Sequence, residues 1–181
     1  MAHGGVTVVN RLEEVLGTLL ARPRHVAVGI LGAKAAETKQ VDAGDEVRDV
    51  TVAQVATWLH YGVSTQTSEK TASGASVHAI RIPARPFISV ALERHGAEIQ
   101  KRFARITRGV LEEKLTLDQA LGLMGESVVG EIKKTIAEGV PPSNADSTKD
   151  KKRSSTPLID TGQLRGSVAY QVRDGVGEGV L

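Results

Sequence analysis

The 181-residue chain contains no cysteine. That excludes a disulfide scaffold, a thiolate zinc site, an iron–sulfur cluster and a cysteine nucleophile. Aromatic residues are only 3% of the sequence: Trp58, Tyr61, Phe87, Phe103 and Tyr170. So few rings do not make a base-stacking platform. Charge of one sign is lacking too, since 23 basic residues against 21 acidic ones leave a net charge of +2, which argues against a dedicated nucleic-acid binder. No apolar run approaches the ~20 residues of a membrane span, and no basic flank precedes a hydrophobic stretch as in a secretory signal. What is there is ordinary: 40% hydrophobic and 24% charged residues, the composition of a globular domain. A chain of this length buries enough surface for a core of its own, so residues 1–181 read as one domain.

Apolar residues at helical spacing predict a first helix over Val8, Leu12, Val15, Leu16, Leu19 and Leu20, with Pro23 past its end. His25 to Leu31 is short, β-branched and flanked by glycine, and predicts a strand. Residues 34–50 read as a polar connection with a turn at Ala43-Gly44-Asp45. Thr51 can cap a second helix, with Val52, Val55, Ala56 and Leu59 as its buried stripe and Gly62 as its stop. Residues 63–76 are nearly all small or polar and predict a mobile loop, and Val77 to Ile82 alternates as a strand. Pro86 opens a long helix striped by Ile88, Leu92, His95, Ile99, Phe103, Ile106 and Val110. Another helix opens at Thr116 or Asp118, striped by Leu117, Leu121, Met124, Val128, Ile132 and Ile136, and closes at Gly139. A second mobile segment is expected over residues 140–156, because Ser143 to Thr156 has no large apolar residue to offset ordering entropy. A turn over residues 156–162, a strand around Ser167 to Arg173 and a glycine-rich tail complete the chain. The expectation is an α+β fold: a small antiparallel or mixed sheet of three to four strands with long helices packed on it and extended loops.

Searches for chemistry end mostly in plain structural readings. Among His3, His25, His60, His78 and His95, only His95 has a carboxylate at helical spacing, Glu98 three residues on, and that single pair does not make a metal-site pattern. His95 lies on an apolar stripe and reads as a packed histidine bonded to a backbone carbonyl; His60 reads as a packing or interface contact. Gly125 to Gly130 misses the nucleophile elbow by one residue and falls inside a helix. Gly29 to Lys34 is too short for a phosphate-binding loop. Asp42, Asp45, Glu46 and Asp49 lack calcium-loop spacing and read as a solvated acidic turn. Lys149, Lys151, Lys152 and Arg153 form the single local field of one sign, either a solvated docking arm or a contact to phosphates. No catalytic, cofactor-binding or metal site is expected.

Three stretches in order carry a resemblance: Ala56 to Gly62 (ATWLHYG), Ile82 to Ile88 (IPARPFI) and Thr156 to Val168 (TPLIDTGQLRGSV). Together they resemble the neck or tail-completion proteins of long-tailed bacteriophages, which join the DNA-filled head to the tail. The resemblance covers residues 52–173, about two thirds of the chain, and its last motif is the most specific. His60 stands where that family typically carries an acidic residue. The resemblance implies a structural virion protein, made in the host cytoplasm and placed at the neck as a sixfold or twelvefold ring around the DNA channel. Its implied partners are copies of itself, the head connector or adaptor, the tail tube or tail terminator and, non-specifically, genomic DNA. A tail terminator, or a small nucleic-acid-binding module using residues 149–153, are the alternatives.

The candidate interface residues are Pro83, Arg85, Pro86, Phe87, Asp160, Thr161, Gly162, Leu164 and Arg165. Pro83 and Pro86 fix the backbone on both sides of Arg85 and present it on a stiff corner. A buried Arg85 needs an acceptor, and Asp160 is the candidate carboxylate. The other reading makes Asp160-Thr161-Gly162 a turn and helix cap, with Asp160 bonding backbone N–H groups.

Overall fold

Thr51 and Thr116 open two helices in the same way. Each hydroxyl accepts the backbone N–H of the residue three ahead (Gln54, Gln119), whose side chain accepts the threonine's own backbone N–H. These reciprocal boxes satisfy N–H groups that the helix itself cannot. They belong to a computed structural model that describes residues 4–42, 47–71, 74–143, 158 and 162–177. In chain order the elements are α1 (Gly4–Ala21), β1 (Arg24–Ile30), α2 (Ala33–Ala36), β2 (Thr38–Asp42), β3 (Val47–Thr51), α3 (Val52–Tyr61), β4 (Val63–Thr71), β5 (Gly74–Ile82), α4 (Phe87–Leu111), α5 (Leu117–Glu138), α6 (Gln163–Ser167) and β6 (Val168–Asp174).

The fold is α+β, but its strands form no single sheet. Three separate antiparallel pairs replace the expected sheet of three to four strands: β1 with β6, β2 with β3, and β4 with β5. Helices α4 and α5 run antiparallel, since Arg94 meets Glu138 near one end and Arg102 meets Ser127 and Glu131 further along. The β1–β6 ribbon also packs against α5. Gly125 permits this closeness, because a Cβ there would sit 2.5 Å from the Tyr170 ring. The core between these layers is built on Phe87, Ala91, Ile132, Ile136, Val140 and Val168.

The segment read as a mobile loop at 63–76 is instead β4 and the start of β5, paired from Val63↔Ile82 to Thr71↔Gly74. Its repeated threonines are β-branched and favour extended backbone. The polar connection at 34–50 likewise contains a ribbon, β2–β3, after the short α2; the turn expected at Ala43-Gly44-Asp45 lies outside the described residues. In α4 the buried face is turned slightly from the expected stripe: Leu92 is exposed, whereas neighbouring Ala91 is fully buried. In α5 the buried arc is wider than the stripe and takes in Ala120, Val129, Glu131 and Thr135, because that helix is covered on two sides. Of the mobile segment expected over 140–156, Val140 is buried and residues 144–156 lie outside the described residues.

Candidate interaction site at the Arg85 corner

α3 ends where Gly62 turns to a φ of +78° and donates its N–H to the Trp58 carbonyl. A Cβ at Gly62 would lie 2.8 Å from the Ala84 nitrogen and 3.0 Å from the Ile82 oxygen. Both the dihedral and the space therefore demand glycine. This contact locks the Tyr61-Gly62 ending against the chain leaving β5, so the first two stretches of the resemblance touch. The Arg85 N–H then donates to the Leu59 carbonyl at 2.7 Å, and the Phe87 N–H donates to the Arg85 carbonyl at 2.7 Å. The corner is pinned to α3 before α4 begins.

On that corner the Arg85 side chain is only 5% exposed. Its Nε donates to the Pro142 carbonyl at 2.9 Å and its Nη2 to the Ser143 carbonyl at 3.3 Å, which ties the end of the α5 connection down. Burial lowers the guanidinium's pKa from its ordinary value, yet arginine stays charged in proteins. Phe87 is almost fully buried and meets the His60 ring edge-on at 5.2 Å, and His60 meets Tyr61 at 4.7 Å. Burial also lowers the His60 pKa, and its Nδ1 is buried without a hydrogen-bond partner.

The third stretch comes to the same place. Leu158, Leu164 and Val168 share one core cluster with Ala56 and Phe87. Leu158 does so with a φ of +69°, a costly conformation for a bulky residue. Gly162 precedes α6 in the left-handed conformation, and Ser167 donates to the Leu164 carbonyl at 2.8 Å. Of the sequence candidates, Pro83, Arg85, Pro86, Phe87 and Leu164 are thus built into one corner, while Arg165 stays exposed on α6. Asp160, Thr161, Lys149, Lys151, Lys152 and Arg153 lie outside the described residues.

Sequence reasoning missed a charged cluster between α4 and α5. Glu131 is 6% exposed and receives Arg102 at 2.8 Å, with His95 Nδ1 at 3.5 Å. Arg102 also donates to the Ser127 hydroxyl at 3.3 Å. His95 therefore faces a carboxylate rather than the expected backbone carbonyl. The one sequence signal was the seven-residue spacing of His95 and Arg102, which puts both on one face of α4. Glu131 is buried while the Arg102 side chain is 42% exposed, so the carboxylate is met by a charge that water still reaches. Among the described residues no group of three or more His, Cys, Asp or Glu is placed to hold a metal ion, and no helix is long and apolar enough to cross a membrane.

Around the corner the surface is hollowed on both sides of Tyr61. One depression of about 220 Å³ lies between β1, α3 and the start of α4, and another of about 430 Å³ lies between Gly62 and Pro83. Compared with protein-family models, curated proteins and solved structures, the chain matches none of them.

Proposed function

We propose that this chain is a structural protein of the head–tail junction of a long-tailed bacteriophage, a neck or tail-completion protein without a catalytic step. It forms or joins a sixfold or twelvefold ring around the DNA channel and links the head connector to the tail tube or terminator. Copies of itself and those two assemblies are its partners, and DNA passes through non-specifically. It works in the virion neck after assembly in the host cytoplasm. The observation that carries this reading is the convergence of the three resembling stretches. Ala56 from the first, Phe87 from the second, and Leu158, Leu164 and Val168 from the third pack in one cluster. That stretches far apart in the chain, resembling one family in order, also pack together supports reading them as one unit.

Particles made without this protein test the proposal by electron microscopy. The expected outcome is DNA-filled heads beside finished but unjoined tails, with joining restored by the purified protein. Tails that fail to stop at one length would assign the chain to the tail terminator instead. Normal joined particles would overturn the reading.

A further inference from the structure

Helix α1 carries more apolar surface than its neighbours cover. Its docked side is marked by half-buried Val15 and by Arg11, which reaches Glu14 at 2.7 Å and Glu113 at the end of α4 at 4.0 Å. Leu12, Leu16 and Leu20, spaced by four and so on one face, remain 42%, 47% and 82% exposed. Glu13 is exposed beside that stripe. Elsewhere the same chain holds a depression of matching chemistry. The 220 Å³ hollow is lined by Ile30, Ala53, Thr57, His60, Tyr61 and Ile88 among others. In the adjoining hollow Arg81 is the charged lining side chain, and it is exposed.

We infer that these two surfaces are the halves of one contact between copies of this chain: the α1 leucine stripe of one copy seats in the Tyr61 hollow of the next. The hollow has room for one leucine of the stripe, because apolar cavities of ~150 Å³ already admit a benzene ring. The charges fit as well, since Glu13 flanks the stripe and Arg81 flanks the hollow. Pairing α1 with α1 would leave the hollow empty, and the basic side chain within α1, Arg11, is already held by Glu14. A contact that uses two different patches of one chain is head-to-tail, and such contacts close into rings when the rotation allows. Three leucines fall well short of the ~800 Å² per partner of a stable interface. The contact is therefore weak in dilute solution and gains strength when a platform holds neighbouring copies together. The inference deepens the proposed ring reading and rests on it for closure, whereas the contact itself is tested without any phage component.

The absence of cysteine makes cross-linking clean. Leu16→Cys protein is mixed with Thr57→Cys protein at about 1 mM, the effective concentration of a short tether, under mild oxidation. The mixture should give a disulfide-linked dimer at several times the yield of either variant alone, and the double variant should give a ladder of dimers, trimers and larger species. Adding Glu13→Arg to the Leu16→Cys chain should lower the dimer yield several-fold, and Arg81→Glu in its partner should restore it. Efficient self-linking of Leu16→Cys would overturn the inference in favour of α1 pairing. So would a mixed yield no higher than that of a Leu123→Cys and Thr57→Cys control, whose leucine is exposed on α5. Head–tail joining is scored separately. A ladder from protein that never joins heads to tails keeps the contact and removes the neck role; joining without a ladder removes the contact alone.

Discussion

The β1–β6 ribbon lies against α5, with Val168 2% exposed and the Tyr170 ring over Gly125, whereas the β4–β5 ribbon packs extensively on no other described element. Both are antiparallel pairs, of seven and nine residue pairs respectively. A two-stranded ribbon is marginal by itself in water. The first becomes part of the core because a helix covers one face. The second is held at its root, where Val63 pairs with Ile82 and Gly62 lies against Ala84. Strand pairing thus says little about stability here, and the covering helix decides it.

The largest effect should come from the covered side. Ile132, 1% exposed, is at the centre of the core, and Ile132→Ala should cost about 2–5 kcal/mol. In a chain of this length that lowers Tm by on the order of 10 °C. Replacing residues 66–79 by Asn-Gly, so that a tight turn joins the paired Thr65 and Ile80, should move Tm by less than about 3 °C. Thermal melts followed by circular dichroism compare the two. A collapse of the shortened protein would break the comparison.

The Arg85 corner stands between these extremes, since it ties the ribbon root to the core. Arg85→Ala removes the donors to the Pro142 and Ser143 carbonyls, at a cost of about 1.5–3 kcal/mol for bonds from a charged group. Arg85→Lys should recover little, because one ammonium cannot reproduce two donors fixed in a plane. Full recovery by lysine in the same melts would show that charge alone matters there. Asp160→Asn then separates the two readings of that residue: mild if Asp160 caps a turn, and non-additive with Arg85→Ala if the two are paired.

Much of this arrangement was legible in the sequence, and the exceptions have one physical cause. Thr51, Thr116, Gly62 and Gly139 mark helix ends through local chemistry, so they are readable without knowing any neighbour. The corner was legible because Pro83 and Pro86 dictate backbone locally. Glu131 was not, since an acid in an amphipathic helix reads as solvated until Arg102 arrives from another helix. β4 was not, because its run of Ser, Thr, Gln, Glu and Lys after Val63 has no apolar alternation to find. The carbonyls that hold Arg85 carry no side-chain signature at all. Sequence reasoning reached what is decided within a few residues, and lost what is decided by the partner across a gap.

A smaller effect tests the closeness of the covered ribbon. Gly125→Ala places a Cβ within 3 Å of Tyr170 Cδ2, Cγ and Cβ. The clash reaches the base of that side chain, so the ring cannot simply rotate away, and overpacking should cost about 1–3 kcal/mol. Gly125→Ala combined with Tyr170→Ala should lose less than the sum of the two single changes. Additivity would mean that the ribbon already has room to move off α5.

The smallest expected effect concerns His60, between the core and the open side of the corner. Burial lowers its pKa from the ordinary 6.5, so between the folded and unfolded pKa values the unfolded chain binds more protons. Stability linked to His60 is therefore fully present above about pH 6.5 and is lost as pH falls towards the folded pKa. His60→Phe keeps a ring against Phe87 and removes both the titrating group and the unpartnered Nδ1. The difference in Tm between this variant and the parent should widen in the variant's favour from pH 7 to pH 5. Taking the difference cancels the titration of groups common to both proteins. The same ring lines the hollow that receives the α1 leucines. Acid slows every disulfide by removing thiolate. The Leu16→Cys and Thr57→Cys cross-link yield should therefore fall further with His60 present than with His60→Phe, because protonation places a charge where an apolar side chain must enter. Equal pH slopes in parent and variant would place His60 in open water and remove it from both roles.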